Sequence, residues 1–327
     1  MSKDSSSSLV LSVAHAVLFF STMVAGACRY SWSQPAPPTH PGVEHSQAIA
    51  DRLVTIGGAV TEAVFALGLG AQVVGVDTSS VYPADVTHLP KVGYQRTLSA
   101  EGILALRPTR IVAAEEAGPP HVLDQLRQAG IPIAVVPGTP SIAGARAKLQ
   151  AIADALNVPQ RGSALVTQLD DETTQALAIT PRSGKRPRVL FLYARSAGSV
   201  LVAGTDTAPA AMLDLAGAEN AAAALRGFKP YSAEALVAAR PDILLLTDRG
   251  AASLGGIAGV RMLPGVASLP AESQPDVRTL DDLLLLGFGP RTGQAIAALR
   301  RLLATSATAA TSTSGSISPH ATARGAQ

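Results

Sequence analysis

The sequence predicts an α/β protein of two lobes, each built on a parallel sheet and joined to the other by one long helix. Three observations carry this. From residue 53 onward, short apolar runs alternate with helical patterns, the grammar of βαβ units. An eleven-residue string recurs 133 positions later, again just before an apolar run. Between the copies lies a stretch of helical periodicity without strand-like runs, ~20 residues at its longest and so ~30 Å along its axis. The 327 residues suffice for one large domain or two ordinary ones.

The chain begins with Lys3 and a run of serines, then an apolar stretch from Leu9 to Ala27 broken by Ser12, His15, Ser21 and Thr22. It closes on Ala25-Gly26-Ala27, an A-x-A cleavage site, so residues 1–27 read as a signal peptide rather than a membrane span. Cys28 follows directly and is the sole cysteine, which excludes an intrachain disulfide and Cys-rich zinc sites. Its position resembles that of an acylated lipoprotein cysteine, although Ala25 stands where Leu, Val or Ile is preferred. Lipidation at Cys28 and plain secretion both remain open. Either way the mature protein is expected in the periplasm or the bacterial cell envelope.

Residues 28–49, rich in proline and polar side chains, read as a linker. The N-terminal lobe is expected over 50–158, with strands at 53–56, 73–76, 111–114 and 133–136 and helices at 60–67 and 120–128. Ile142, Ala145, Leu149, Ile152 and Leu156 then recur at helical steps. Pro159 suits the first turn of the interlobe helix, 159–180, which carries Leu165, Leu169, Ala176 and Leu177 on one side. The C-terminal lobe, 181–304, follows with strands at 189–193, 243–247 and 277–280 and helices at 208–215 and 291–303. Residues 305–327 are Thr/Ser/Ala-rich and are expected to be a disordered tail.

The repeated string spans 98–108 and 231–241 and shares Ser, Ala, Glu, Ala, Arg and Pro. In each copy a serine in N-cap position opens a short helix, and Arg-Pro ends it before an apolar strand. This suggests duplicated lobes.

Charged residues make up only 15% of the chain and the formal charge is +2, with no long run of either sign. Nucleic acid is therefore set aside as a partner. Gly57-Gly58 after the first strand lacks the glycines of a dinucleotide fingerprint, and neither a nucleophile elbow, a Walker loop nor a zincin motif is present. No clustered acid/base or nucleophile set supports an enzyme, and no catalytic residue is assigned. Four of the six histidines fall in the signal, linker or tail, leaving His88 and His121. Two isolated histidines do not make a transition-metal site.

Aromatics are 4% of the chain, so each ring can be weighed singly. Tyr82 stands in a polar loop, Asp77-Thr-Ser-Ser-Val-Tyr82-Pro83, beyond the carboxyl end of the second strand, where parallel α/β sheets bind ligands. Composition alone favours a ring that covers a turn.

The strings GVDTSSVYP, LPKVGYQRTLSAEGILALRP, EEAGPP, GFKPYSAEAL, SLGGIAGV and DDLLLLGFGPR occur in an order and spacing that resembles the periplasmic haem-binding proteins of bacterial haem ABC importers. The likeness covers the folded body, about 52–303. It implies a fold of two Rossmann-like lobes with parallel sheets joined by one long α-helix, with the ligand cleft between the lobes. It implies ferric haem b as the transported ligand, with Tyr82 as the axial ligand of the haem iron. A phenol pKa lies near ~10, yet bonding to Fe(III) stabilises the phenolate, and a hard anionic oxygen favours ferric over ferrous iron. Arg96, Arg226 and Lys229 are candidates for a cation beside the phenolate or for the propionates. Tyr94, Tyr193, Phe228 and Tyr231 are candidate stacking rings. Some family members add a histidine as second axial ligand; His121 is the candidate, though no motif compels it.

Glu101 and Glu234 hold the same place in the two copies. Related binding proteins dock an inner-membrane permease through one acidic residue per lobe. Acidic residues in a first helical turn also stabilise the helix by about 0.3–1 kcal/mol, so the pair has a second explanation. The expected protein is a monomeric carrier without catalysis. A binding protein for a ferric siderophore or a corrinoid is the alternative reading, and an α/β enzyme the alternative of a different class.

Overall fold

A computed structural model describes residues 51–179, 186–196 and 198–304. The expected signal peptide, Cys28, the linker and the tail lie outside the described residues.

The N-terminal lobe runs β1 (Leu53–Ile56), α1 (Gly58–Ala66), β2 (Val73–Val76), a small hairpin of β3 (Gly93–Tyr94) and β4 (Thr97–Leu98), α2 (Ala100–Leu104), β5 (Arg110–Ala114), α3 (Pro120–Gln128), β6 (Ile133–Val136) and α4 (Ile142–Ala155). Its main sheet has the order β2-β1-β5-β6, with every pairing parallel. Strands β1, β2 and β5 are covered on both faces, which explains their nearly continuous apolar runs, whereas Val135 of the edge strand β6 is exposed. Leu53 faces one core with Val60, Val64, Leu149 and Ile152, whereas Val54 and Ile56 face another with Ile103, Leu123 and Leu126.

The long helix α5 (Pro159–Leu177) follows. Beyond it come β7 (Arg188–Ser196), β8 (Ser199–Ala203), α6 (Ala208–Leu215), β9 (Glu219–Asn220), β10 (Phe228–Pro230), α7 (Ala233–Ala239), β11 (Ile243–Thr247), α8 (Asp248–Ser253), α9 (Gly256–Arg261), β12 (Asp276–Leu280), α10 (Asp282–Leu286) and α11 (Thr292–Ala304). The second sheet has the order β10-β8-β7-β11-β12, with β9 beside β7. Its β7, β9, β11 and β12 are parallel neighbours, but β8 runs antiparallel to both β7 and β10. The expectation of a wholly parallel second sheet is thus corrected at one edge. An antiparallel partner needs only a tight link, and β8 starts three residues after β7 ends.

One helix serves both cores. Leu169 of α5 is buried in the core of the first lobe and Ala176, two turns on, in that of the second. Glycine permits close approach on both sides. A Cβ on Gly162 would lie 2.4 Å from that of Ala153 on α4, and one on Gly293 of α11 would lie 2.6 Å from that of Glu172 on α5.

The repeat is structural as well as textual. Both α2 and α7 lead through a proline into the strand beside the first strand of their lobe, β5 next to β1 and β11 next to β7. Arg107 and Arg240, equivalent in the two copies, both take positive φ, 47° and 42°. Arg52 donates to the Leu106 carbonyl at 2.8 Å, and Arg188 donates to the equivalent Ala239 carbonyl at 3.0 Å. The caps differ. Ser232 accepts from the Ala235 amide at 3.1 Å, while Ser99 makes no side-chain cap.

Candidate functional site

The carboxyl ends of β1 and β2 carry the loop that presents Tyr82. Its organiser is Asp77, fully buried at the end of β2. Gly57 N, Ser79 N and Ser80 Oγ donate to its carboxylate at 2.8, 2.8 and 2.7 Å, and Ser79 Oγ donates at 2.6 Å. Gly57 has no side chain to cap α1, so Asp77 supplies a negative acceptor at that helix start. Hydroxyls of Thr55, Thr61 and Ser80 continue the network at 2.7 Å per link. Lys91 donates to the Ser80 and Val86 carbonyls at 3.0 and 3.1 Å and so ties down both flanks of the loop. Burial pulls the Lys91 pKa down, against the opposing pull of Asp77.

On this frame Tyr82 is 43% exposed, and Arg291 of the other lobe lies over it, guanidinium carbon 3.6 Å from the ring centroid. Arg291 also donates twice to Glu62 of α1, at 2.8 and 2.9 Å, with the two side chains only 17% and 5% exposed. Burial opposes the Arg291 charge, but Glu62 and then Tyr82 more than offset it and hold the guanidinium above its usual basicity. Close packing brings these groups together. A Cβ on Gly289, two residues before Arg291, would lie 3.2 Å from that of Ala59, and Leu283 abuts Gly58. Lys148 of α4 adds a second tie across the lobes, donating to the Gly287 and Phe288 carbonyls at 3.0 and 3.2 Å. Desolvation lowers its pKa, with Glu116 and Glu62 acting the other way.

A third interlobe contact is made by Arg195 at the end of β7. It donates to the Tyr94 hydroxyl at 3.4 Å and the Tyr193 hydroxyl at 3.3 Å, and its guanidinium carbon lies 5.8 and 5.5 Å from the two ring centroids. Tyr193 meets Phe228 at 5.5 Å between centroids, tilted by 51°.

The structure thus sets Tyr82 and Tyr94, expected ligand contacts, each against an arginine from the opposite lobe. The expected cations stand differently. Arg226 pairs with Asp206 at 2.7 Å and leaves 86% of its side chain in solvent, and Arg96 and Lys229 are exposed. Tyr231 packs on the face of the second sheet opposite Tyr193, and its hydroxyl donates to the Pro264 carbonyl. Burial pushes its pKa up to about 12. His121 is exposed on α3, and no group of three or more His, Cys, Asp or Glu among the described residues could hold a metal ion. Glu101 and Glu234 are exposed in the first turns of α2 and α7.

Sequence reasoning missed Glu62, Arg195 and Arg291. Glu62 had a signal, since it is the one charge within the apolar string GAVTEAVFA and a charge on a buried face needs a partner.

A family model described as "Periplasmic binding protein" matches residues 53–284. Among solved structures, the periplasmic heme-binding protein RhuT from Roseiflexus sp. RS-1, in apo form, is 46% identical with a TM-score of 0.75, covering 78% of this chain and 98% of that one. Among curated relatives, an ABC transporter substrate-binding lipoprotein of Bacillus subtilis, YvrC, is 28% identical over 246 residues, 73% of this chain and 76% of the relative. A vitamin B12-binding protein of Vibrio parahaemolyticus is 24% identical over 208 residues, 63% of this chain and 74% of that protein.

Proposed function

The chain belongs to the periplasmic binding protein family, the non-catalytic substrate carriers of ABC importers, and from that premise we propose that its cargo is ferric haem b, held between the lobes by a tyrosinate–iron bond from Tyr82. The observation that carries the reading is the setting of Tyr82. Its hydroxyl-bearing ring is exposed where the lobes meet, on a loop fixed by Asp77, beneath a guanidinium already neutralised by Glu62. A phenolate oxygen is a hard anionic donor suited to Fe(III), the oxidised form of haem outside the cytoplasm. The 46% identity to a protein described as heme-binding supports the same ligand.

Tyr94, Tyr193 and Phe228 offer aromatic surface for a flat macrocycle. In this reading Glu101 and Glu234, exposed at equivalent places in the two lobes, receive arginines of the permease, and the carrier works as a monomer. Export places it in the periplasm or cell envelope, and Cys28 is the residue an acyl anchor would use, as the description of YvrC as a lipoprotein suggests.

The kinship with vitamin B12-binding proteins sustains a second reading, a corrinoid carrier. Such a carrier has no need of an oxygen ligand at position 82. Haemin titrated into the purified protein should give the visible bands of high-spin Tyr–Fe(III), while cyanocobalamin should not bind. Binding of cyanocobalamin with no haemin spectrum would reverse the assignment.

A further inference from the structure

The contact made by Arg195 reaches beyond the iron site. Its guanidinium lies between phenols of opposite lobes, Tyr94 and Tyr193, at 3.4 and 3.3 Å. Among the described residues no carboxylate pairs with it, whereas Arg226 is engaged by Asp206 and Arg291 by Glu62. Tyrosine hydroxyls are neutral acceptors, and at these distances they form weak hydrogen bonds. A cation held between the lobes by weak neutral partners is open to exchange for an anion. A guanidinium presents a planar fork matched to a carboxylate, and the resulting charge-assisted pair is shorter and roughly twice as strong as a neutral hydrogen bond.

We propose that Arg195 is the receptor for a ligand carboxylate, which displaces the Tyr94 hydroxyl and docks the acidic edge of a flat ring ligand beside Tyr193 and Phe228. The inference rests on the haem reading for the identity of that edge, the propionates of the porphyrin. It makes Arg195 a specificity residue, because the side chains of cobalamin end in amides rather than carboxylates. The phenols contribute further. Arginine is charged throughout the range in which a propionate is ionised, and hydrogen bonding to Tyr193 raises the basicity of Arg195 further.

The test compares acids with their esters. Haemin and haemin dimethyl ester are titrated into wild type, Arg195→Gln and Arg195→Lys, with metal-free protoporphyrin and its dimethyl ester run in parallel. Wild type should prefer each acid over its ester by at least ~10-fold, equivalent to ~1.4 kcal/mol. Arg195→Gln should bring the ratio close to one, Arg195→Lys should retain part of it, and the tyrosinate–iron bands of haemin should persist in both variants. An acid-to-ester ratio in Arg195→Gln equal to that of wild type overturns the proposal. So does equal binding, or no binding, of the acid and ester forms by wild type. The metal-free pair separates this inference from the iron assignment: a preference that depends on Arg195, without tyrosinate bands from haemin, sinks the Tyr82 reading and leaves the carboxylate receptor standing.

Discussion

Arg291, at the start of α11, grips Glu62 of α1 through both carboxylate oxygens, 2.8 and 2.9 Å away, and so pins the two lobes together directly over the ring of Tyr82. The two residues are 229 positions apart in the chain. Removing one partner leaves a buried charge unpaired, a loss of about 3–5 kcal/mol. Glu62→Ala should therefore lower the urea midpoint substantially, and Glu62→Leu combined with Arg291→Met should recover much of the loss. A Glu62→Ala midpoint equal to that of wild type would show that the pair carries no weight.

Tyr82→Phe separates ring from oxygen. The ring stays under Arg291, so thermal stability should remain within about 0.5 kcal/mol of wild type, the usual range for a surface change. Haem affinity should fall, and the tyrosinate–iron bands should vanish from the visible spectrum. Persistence of those bands in the phenylalanine variant would remove Tyr82 as the iron ligand.

Tyr231 sets a pH window. Burial raises its folded pKa from 10.0 to about 12, so below pH 10 the phenol is protonated in both folded and unfolded chains and its contribution to stability is whole. Between pH 10 and about 12 the unfolded chain releases the proton while the folded one keeps it, and stability falls as pH rises. Tyr231→Phe should flatten the melting temperature over that interval and remove a phenol titrating near pH 12 from the 295 nm absorbance curve. Identical alkaline curves for the two proteins would contradict the buried setting of this hydroxyl.

Glu101→Lys combined with Glu234→Lys should abolish haem-dependent growth that relies on the importer, while haemin titrations of the purified variant match wild type. Undiminished uptake would assign the two carboxylates to their helix dipoles alone.

The strands at 53–56, 73–76, 133–136 and 243–247 were legible to the residue, because strands of a parallel sheet read as short, mostly apolar runs. The helix opening at Pro159 was equally plain, since proline suits a first turn. Strand β8, set between β7 and β10, escaped because it follows β7 almost without a break, and only the antiparallel return separates the two. Duplication was visible in 98–108 and 231–241, yet its deeper signature, Arg52 and Arg188 bonding equivalent carbonyls, lies outside the matching letters. Within the candidate site, Tyr82 and Tyr94 stood out because rings are scarce in this chain. Their arginine partners did not, since a lone cation in a loop or at a strand end has no periodic signature, and its meaning depends on which distant residue it meets. Tyr231 carried the same sequence signal as the other rings, and only the fold shows its hydroxyl bound to Pro264.

The way α5 is seated has a mechanical consequence. With Leu169 in one core, Ala176 in the other and glycine-tight contacts on both flanks, the helix has no slack with which to let the lobes drift apart. The separation of the lobes should therefore change little when cargo enters, the behaviour of a caliper rather than a jaw. Scattering profiles of the free and loaded protein should then superimpose.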